Sequence, residues 1–162
     1  SSGGGIDIAD LDGKVTAESS GGSVEVRNLG GAAVLSSSGG AIAGDNIAGD
    51  VDASSSGGGV ELREAHGRVV AESSGGAVSV SFAAGNGRGG DLSSSGGGVA
   101  AAVDPTVGLE IDASSSGGSV ACTLPLTVRG RVGRNEVHGT LNGGGPRLVL
   151  DSSGGGIAIG AR

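Results

Sequence analysis

Apolar and polar positions alternate along this chain in short bursts, and the bursts recur at a nearly fixed interval. Each burst follows the tetrapeptide Ser-Ser-Gly-Gly, which begins at Ser1, Ser19, Ser37, Ser55, Ser73, Ser94, Ser115 and Ser152. The first four intervals are 18 residues, the next two 21 and the last 37, close to two repeats with one marker lost. With the first Ser as position one, position six is Ile6, Val24, Ile42, Val60, Val78, Val99, Val120 and Ile157, every one β-branched. Position eight is Ile8, Val26, Gly44, Leu62, Val80, Ala101, Cys122 and Ile159. Two apolar residues flanking an exposed one is the period of a strand with one face inward. The intervening Asp7, Glu25, Ala43, Glu61 and Ser79 are predicted to face water.

The second half of each repeat follows the same logic. Leu11, Leu29, Ile47 and Ala65 form an apolar column, and Gly13, Gly31, Gly49 and Gly67 follow two residues later, as a tight bend demands. Val15, Ala33, Val51 and Val69, then Ala17, Leu35, Ala53 and Ala71, predict a second inward-facing strand. No stretch carries the i, i+3, i+4, i+7 spacing of an amphipathic helix. A period near 20 residues is the signature of stacked repeats. The expectation is therefore all-β: one parallel β-solenoid of about eight and a half coils, roughly 40 Å long at the usual strand spacing. The position-six residues should make one buried column, and the Ser columns should form hydroxyl ladders at the corners.

The whole chain, 1–162, reads as a single domain. Regular coils fill 1–72, and longer coils with loops fill 73–114. Two coils, one of them degenerate, occupy 115–151, with Val137, Leu141, Leu148 and Leu150 keeping the core. A half coil, 152–162, ends the stack. The insertions at Ala83 to Gly90 and near Asp104-Pro105-Thr106 lie opposite the Ser-Ser-Gly-Gly corner, so loops should emerge on one side. Asn142-Gly143-Gly144-Gly145-Pro146 predicts a turn.

Composition narrows the function. The 162 residues include 38 Gly, one Phe, one Cys and no Trp, Tyr or Met, and the net charge is −7. The bases are dispersed Arg plus Lys14, so phosphate binding through clustered cations is disfavoured, and single strands would find no aromatic platforms. Regularly spaced β-branched residues argue against a flexible Gly/Ser linker. No apolar run approaches the ~20 residues that span a bilayer as a helix. The chain begins inside a repeat without an initiator Met, as a processed product would.

These columns, together with the closing stretch Leu-Asn-Gly-Gly-Gly-Pro-Arg-Leu-Val-Leu-Asp-Ser-Ser-Gly-Gly-Gly-Ile-Ala-Ile, resemble the bacterial putative-adhesin β-solenoid family. The resemblance runs over essentially the whole chain and is most specific over 139–159. It departs where that family often carries Asp or Glu after the Ser-Gly turn and this chain carries Gly, Ser or Ala. It implies a parallel β-helix in an envelope or extracellular setting and brings no catalytic residues with it.

Candidate chemistry is sparse. Gly85-Asn86-Gly87-Arg88-Gly89-Gly90 matches G-x-G-x-x-G, but no helix follows and the acidic ribose partner is missing. His66 and His138 lie about four coils apart and cannot share a metal, and no G-x-S-x-G elbow exists for the many serines. Cys122 falls at an inward position and reads as a small buried apolar residue. Asp7, Asp10 and Asp12, and Asp45, Asp50 and Asp52, crowd two coils, where calcium is weighed against a solvated acidic face. No cofactor and no catalytic or metal site is assigned, and an enzyme of the polysaccharide-lyase type is disfavoured. The leading expectation is a structural protein of the bacterial surface or extracellular space that associates with itself head to tail into filaments. Ser1, Ser2, Ile6 and Ile8 would meet Ile157 and Ile159 of the next copy, because both ends offer matched unpaired edges. The alternative is a monomeric adhesin-like module that binds a glycan or protein through a loop surface containing Asn86, Arg88 and Asp104.

Overall fold

The computed structural model describes the backbone of residues 1–162 and the side chains of all but 128–132. Seventeen strands run in chain order as β1 (Ile6–Leu11), β2 (Val15–Ser19), β3 (Val24–Leu29), β4 (Ala33–Ser37), β5 (Ile42–Ile47), β6 (Val51–Ser55), β7 (Val60–Ala65), β8 (Val69–Ser73) and β9 (Val78–Phe82), then β10 (Gly90–Ser94), β11 (Val99–Val103), β12 (Leu109–Ser115), β13 (Val120–Cys122), β14 (Thr127–Val132), β15 (Glu136–Leu141), β16 (Arg147–Ser152) and β17 (Ile157–Ala161). They form two sheets. The first has eight parallel strands in the order β1-β3-β5-β7-β9-β11-β17-β13, and the second has nine in the order β14-β15-β12-β16-β10-β8-β6-β4-β2. Inward side chains of both sheets meet in one apolar core.

Register follows the repeat. Ile6 pairs with Val24, Val24 with Ile42, Ile42 with Val60 and Val60 with Val78, each one repeat on. The position-six column is buried from Val24 to Val99 and at Ile157, while Ile6 and Val120, at its two ends, are half-buried. Val137, Leu141, Leu148 and Leu150 are buried as expected.

The Ser-Ser-Gly-Gly corner is held by a hydroxyl ladder. The Ser19 hydroxyl accepts from the Gly22 amide at 3.1 Å and donates to the Gly4 carbonyl of the preceding repeat at 3.1 Å. Ser37, Ser55, Ser73, Ser94, Ser152 and Ser115 repeat the pattern down the stack. Each hydroxyl, buried, thus uses both donor and acceptor capacity, and each glycine from Gly22 inward through the stack contributes both backbone groups, Gly118 at the far end only its amide.

Gly13, in the first repeat, has the positive φ of 129° that a bend requires, but in the following repeats the glycine columns exist for a different reason than the bend inferred from sequence. A Cβ at Gly49 would lie 2.5 Å from the Gly31 carbonyl carbon, and one at Gly58 would lie 2.5 Å from the Gly40 carbonyl carbon. Backbone rests directly on backbone between repeats, so no side chain fits. A true left-handed corner lies three residues earlier. Asp10, Asn28, Asn46 and Glu64 have φ of 54°, 51°, 53° and 49°, a region Asn and Asp tolerate better than most residues. Their side chains stack as well: Asn46 Nδ2 donates to Asn28 Oδ1 at 3.1 Å, and Asn28 Nδ2 donates to Asp10 Oδ1 at 2.8 Å. This corner reverses strand parity and turns Leu29, Ile47 and Ala65 inward.

The C-terminal third departs from simple stacking. From β11 the chain climbs past one level to β12, and β16 fills the vacant level, paired parallel with β10 on one side and β12 on the other. Next to it, β17 lies between β11 and β13. The segment expected to end the stack as a half coil is therefore interior. Residues 115–151 are not two stacked coils either, because β15 runs antiparallel on β12 and β14 antiparallel on β15. The reason lies in strand quality. β16 and β17 alternate inward Leu148, Leu150, Ile157 and Ile159 with outward positions and pair on both edges, whereas β13 is three residues long and is followed by Pro125, which suits an edge.

The ladder and the glycine contact can be separated by mutation. Ser55→Ala leaves a buried amide and carbonyl unpaired and should lower stability by about 2–4 kcal/mol. Gly58→Ala must pry two repeats apart and should cost at least about 3 kcal/mol. Urea midpoints for both variants test the pair, and a wild-type midpoint for either one contradicts the assigned role.

Candidate interaction surface

The expected end-to-end interface divides. Ser1 and Ser2 are exposed, and Ile6 and Ile8 lie half-buried on β1, which pairs only with β3. Ile157 and Ile159 are each 2% exposed with both strand edges hydrogen-bonded, so they offer nothing to a second copy in the folded state. At that end of the stack, the second sheet finishes in the antiparallel pair β15–β14, whose polarity does not continue the parallel ladder.

The expected binding loop is also corrected. The loops at 83–89 and 104–108 do emerge side by side, joined by the Gly85 amide donating to Asp104 Oδ2 at 2.8 Å. Asn86, however, is 6% exposed. Its Nδ2 donates to the carbonyls of Ala65 and Gly67 at 2.6 and 3.0 Å, and its Oδ1 accepts from the Arg88 amide at 3.0 Å. It plugs the corner that the shortened strand β9 no longer makes. Asn142 does the same one loop along, donating to the carbonyls of Pro105 and Val107 at 2.6 and 3.1 Å. Asp104 also accepts from the Thr106 hydroxyl and amide at 2.7 and 2.8 Å. The Thr106 hydroxyl above all, then the Thr106 and Gly85 amides, hold the Asp104 carboxyl below its ordinary range. Of the three, only Arg88 is exposed without a side-chain hydrogen bond among the described residues.

The histidines and acids do not converge. His66 is exposed at the bend after β7, whereas His138 Nδ1 pairs with Asp112 Oδ1 at 2.9 Å across β15 and β12. Arg147 reaches the other carboxylate oxygen of Asp112 at 3.3 Å. Among the described residues no hydroxyl or thiol hydrogen-bonds to His138. Asp45 stands on the outer face of the first sheet and Asp52 on the outer face of the second, while the Asp50 carboxylate accepts from the Arg68 amide at 2.8 Å. No group of three potential metal ligands exists among the described residues. Cys122 is half-buried, and burial pushes its thiol up.

What remains is the outer face of the eight-stranded sheet, which has two zones. Over β3, β5 and β7 it carries a charge grid. Arg27 Nε donates to Glu25 at 2.8 Å, Arg63 Nε donates to Glu61 at 2.9 Å, and Asp45 stands between the two arginines. Ala43 leaves a hollow of about 300 Å³ between the two ion pairs. The paired glutamates raise both guanidinium pKa values above the ordinary one. Over β9, β11, β17 and β13 the outward residues turn small: Ser79, Ser81, Ala100, Ala102, Ala158 and Ala121. They floor a shallow, mostly apolar hollow of about 360 Å³ that borders Glu61 and Arg63. The single aromatic, Phe82, is 1% exposed and lies under this sheet rather than on it.

No family profile matches the chain, and no curated protein matches it. Among solved structures, a putative cell adhesion protein from Clostridium sporogenes is similar at 12% identity over 99% of this chain and 93% of that one, with a TM-score of 0.41. Among the described residues no helix is long and apolar enough to cross a membrane.

Two measurements test these assignments. A lowered carboxyl pKa makes the Asp104 contacts fully present above the ordinary carboxylate range and lost as pH falls through the lower folded value. Gly85 and Thr106 amide shifts should therefore hold through mild acid and move only below that range, while Asp104→Asn moves them at neutral pH. Cys122, half-buried with a raised pKa, should react with iodoacetamide more slowly than free cysteine at pH 8 and approach its rate only on unfolding.

Proposed function

We propose that the chain is a β-solenoid acting as a rigid, non-catalytic, adhesin-like interaction module in a bacterial extracellular or envelope setting, and that the outer face of its eight-stranded sheet meets a partner protein. The observation that carries this reading is the two-zone face: an acid–base grid beside a flat plane of small residues. Exposed ion pairs of this kind contribute little to stability, so the grid is better explained by recognition. Alternating charges set orientation and reject mismatched partners, and small side chains let a second backbone or flat surface approach closely. A protein partner is favoured over a glycan because the one aromatic is buried and no ring is available to stack on a sugar. The setting follows from the resemblance of the repeat and the closing stretch to the adhesin-like family.

Screening the full chain on protein and glycan arrays tests this reading. Binders should come from the protein set, and Arg27→Glu with Arg63→Glu should weaken them about tenfold or more through charge reversal. Ala100→Arg with Ala158→Arg should do the same through steric bulk, and Arg88→Ala should have little effect. Binding that survives both face variants but fails with Arg88→Ala would move the site to the loops, and binding confined to glycans would replace the protein reading.

A further inference from the structure

We propose that residues 147–161 are an exchangeable segment, and that a second copy of this chain can supply β16 and β17 to the level between β10–β11 and β12–β13. The product is a reciprocally exchanged dimer, not a filament joined at its ends.

The segment is inserted rather than appended. β16 makes parallel ladders with β10 and β12, and β17 makes them with β11 and β13. Its inward residues Leu148, Leu150, Ser152, Ile157 and Ile159 are all at most 2% exposed. Withdrawal opens a slot with unpaired edges on both sides in both sheets, and such edges template strand addition.

The slot is specific for this repeat signature. Ser152 donates to the Gly97 carbonyl at 3.0 Å and accepts from the Gly155 amide at 3.1 Å, and Ser115 donates to the Gly155 carbonyl at 2.8 Å. A segment that lacks inward apolar residues in phase with Ser-Ser-Gly-Gly breaks the ladder at this level. The identical segment of a second copy restores every contact.

The connection that feeds the segment is what makes exchange accessible. Residues 142–146 carry the chain from β15, on one side of β12, to β16 on the other. Asn142, Gly143 and Gly144 all have positive φ, at 46°, 84° and 89°. The crossing is tight, since a Cβ at Gly108 would lie 2.6 Å from the Gly144 carbonyl oxygen. Closing within one chain demands this crossing, whereas closing between two chains does not. All other contacts are the same in both products, so the balance is set by protein concentration against the effective concentration of the tether. Because withdrawal breaks ladders on both flanks, exchange takes place during folding and not from the folded monomer.

The test is refolding of the full chain at about 1 μM, far below a short tether's effective concentration, and at about 1 mM, comparable to it, followed by light scattering on the sizing column. Wild type should refold to monomer at the low concentration and yield dimer at the high one. Deletion of Gly143 and Gly144 should move the onset of dimer down by about tenfold or more. The exchange itself is read with Ala102→Cys and Gly160→Cys in a Cys122→Ser background. Ala102 and Gly160 are register partners, and a Cβ at Gly160 meets only Thr123 Oγ1, at 3.5 Å. After oxidation, the dimer fraction should run as covalently linked dimer without reductant and the monomer fraction as monomer. Wild type that stays monomeric after refolding at the high concentration overturns the proposal, as does a dimer whose disulfides all lie within single chains.

Discussion

Everything in this stack depends on the distance at which one repeat rests on the next. At two columns that distance is set by bare backbone, glycine on glycine, where a single Cβ would stand 2.5 Å from the neighbouring carbonyl carbon. The serine ladder works only at that spacing, because each hydroxyl must reach its own glycine amide and the carbonyl of the preceding repeat at once. Each hydroxyl accepts from one amide and donates to one carbonyl, and the two bonds polarise one another through it. The apolar core is thin and made largely of Val, Ala, Leu and Ile, and it fits between sheets whose corners are already fixed in this way.

The two Asn plugs show how the fold tolerates interruption. Where the chain inserts extra residues it loses the left-handed corner and with it the stacked amides of Asn28 and Asn46. Asn86 and Asn142 replace them, each spanning two carbonyls of a neighbouring connection. A longer loop therefore ends in a side-chain amide bonded to backbone carbonyls, buried at Asn86 and exposed at Asn142, and among the described residues no buried side-chain nitrogen or oxygen lacks a partner. Loop length can vary on this side of the stack while the sheets continue undisturbed.

Strand positions, the inward columns except at the exposed Leu11, the serine corner and the side on which the loops emerge were legible because each leaves a periodic mark: Val24, Ile42 and Val60 at one phase, Ser37 and Ser55 at another. Four features were not read from the sequence. The level of residues 147–161 leaves no mark, because Ser152-Ser153-Gly154-Gly155 fits any level of the ladder equally well. Asn86 looked like a surface loop residue because a glycine-rich run has the same composition whether Asn86 points in or out. The left-handed corner did leave a signal, Asp10, Asn28 and Asn46 in phase before an apolar column, but the neighbouring glycines obscured it. The two-zone face is a property of residues two apart on strands 18 or more apart in sequence, and it appears only once the register is fixed.

The interleaved order also bears on synthesis. Residues 147–161 leave the ribosome after the strands that flank them on both sides, so β12 and β13 cannot settle on β10 and β11 as they emerge. The regular repeats can zip up one by one behind the exit tunnel, each on the one before, but the far third must wait with its edges open until its last strand arrives. A product cut short before Arg147 would lack an interior layer instead of a tip, and its exposed slot would mark it for proteolysis.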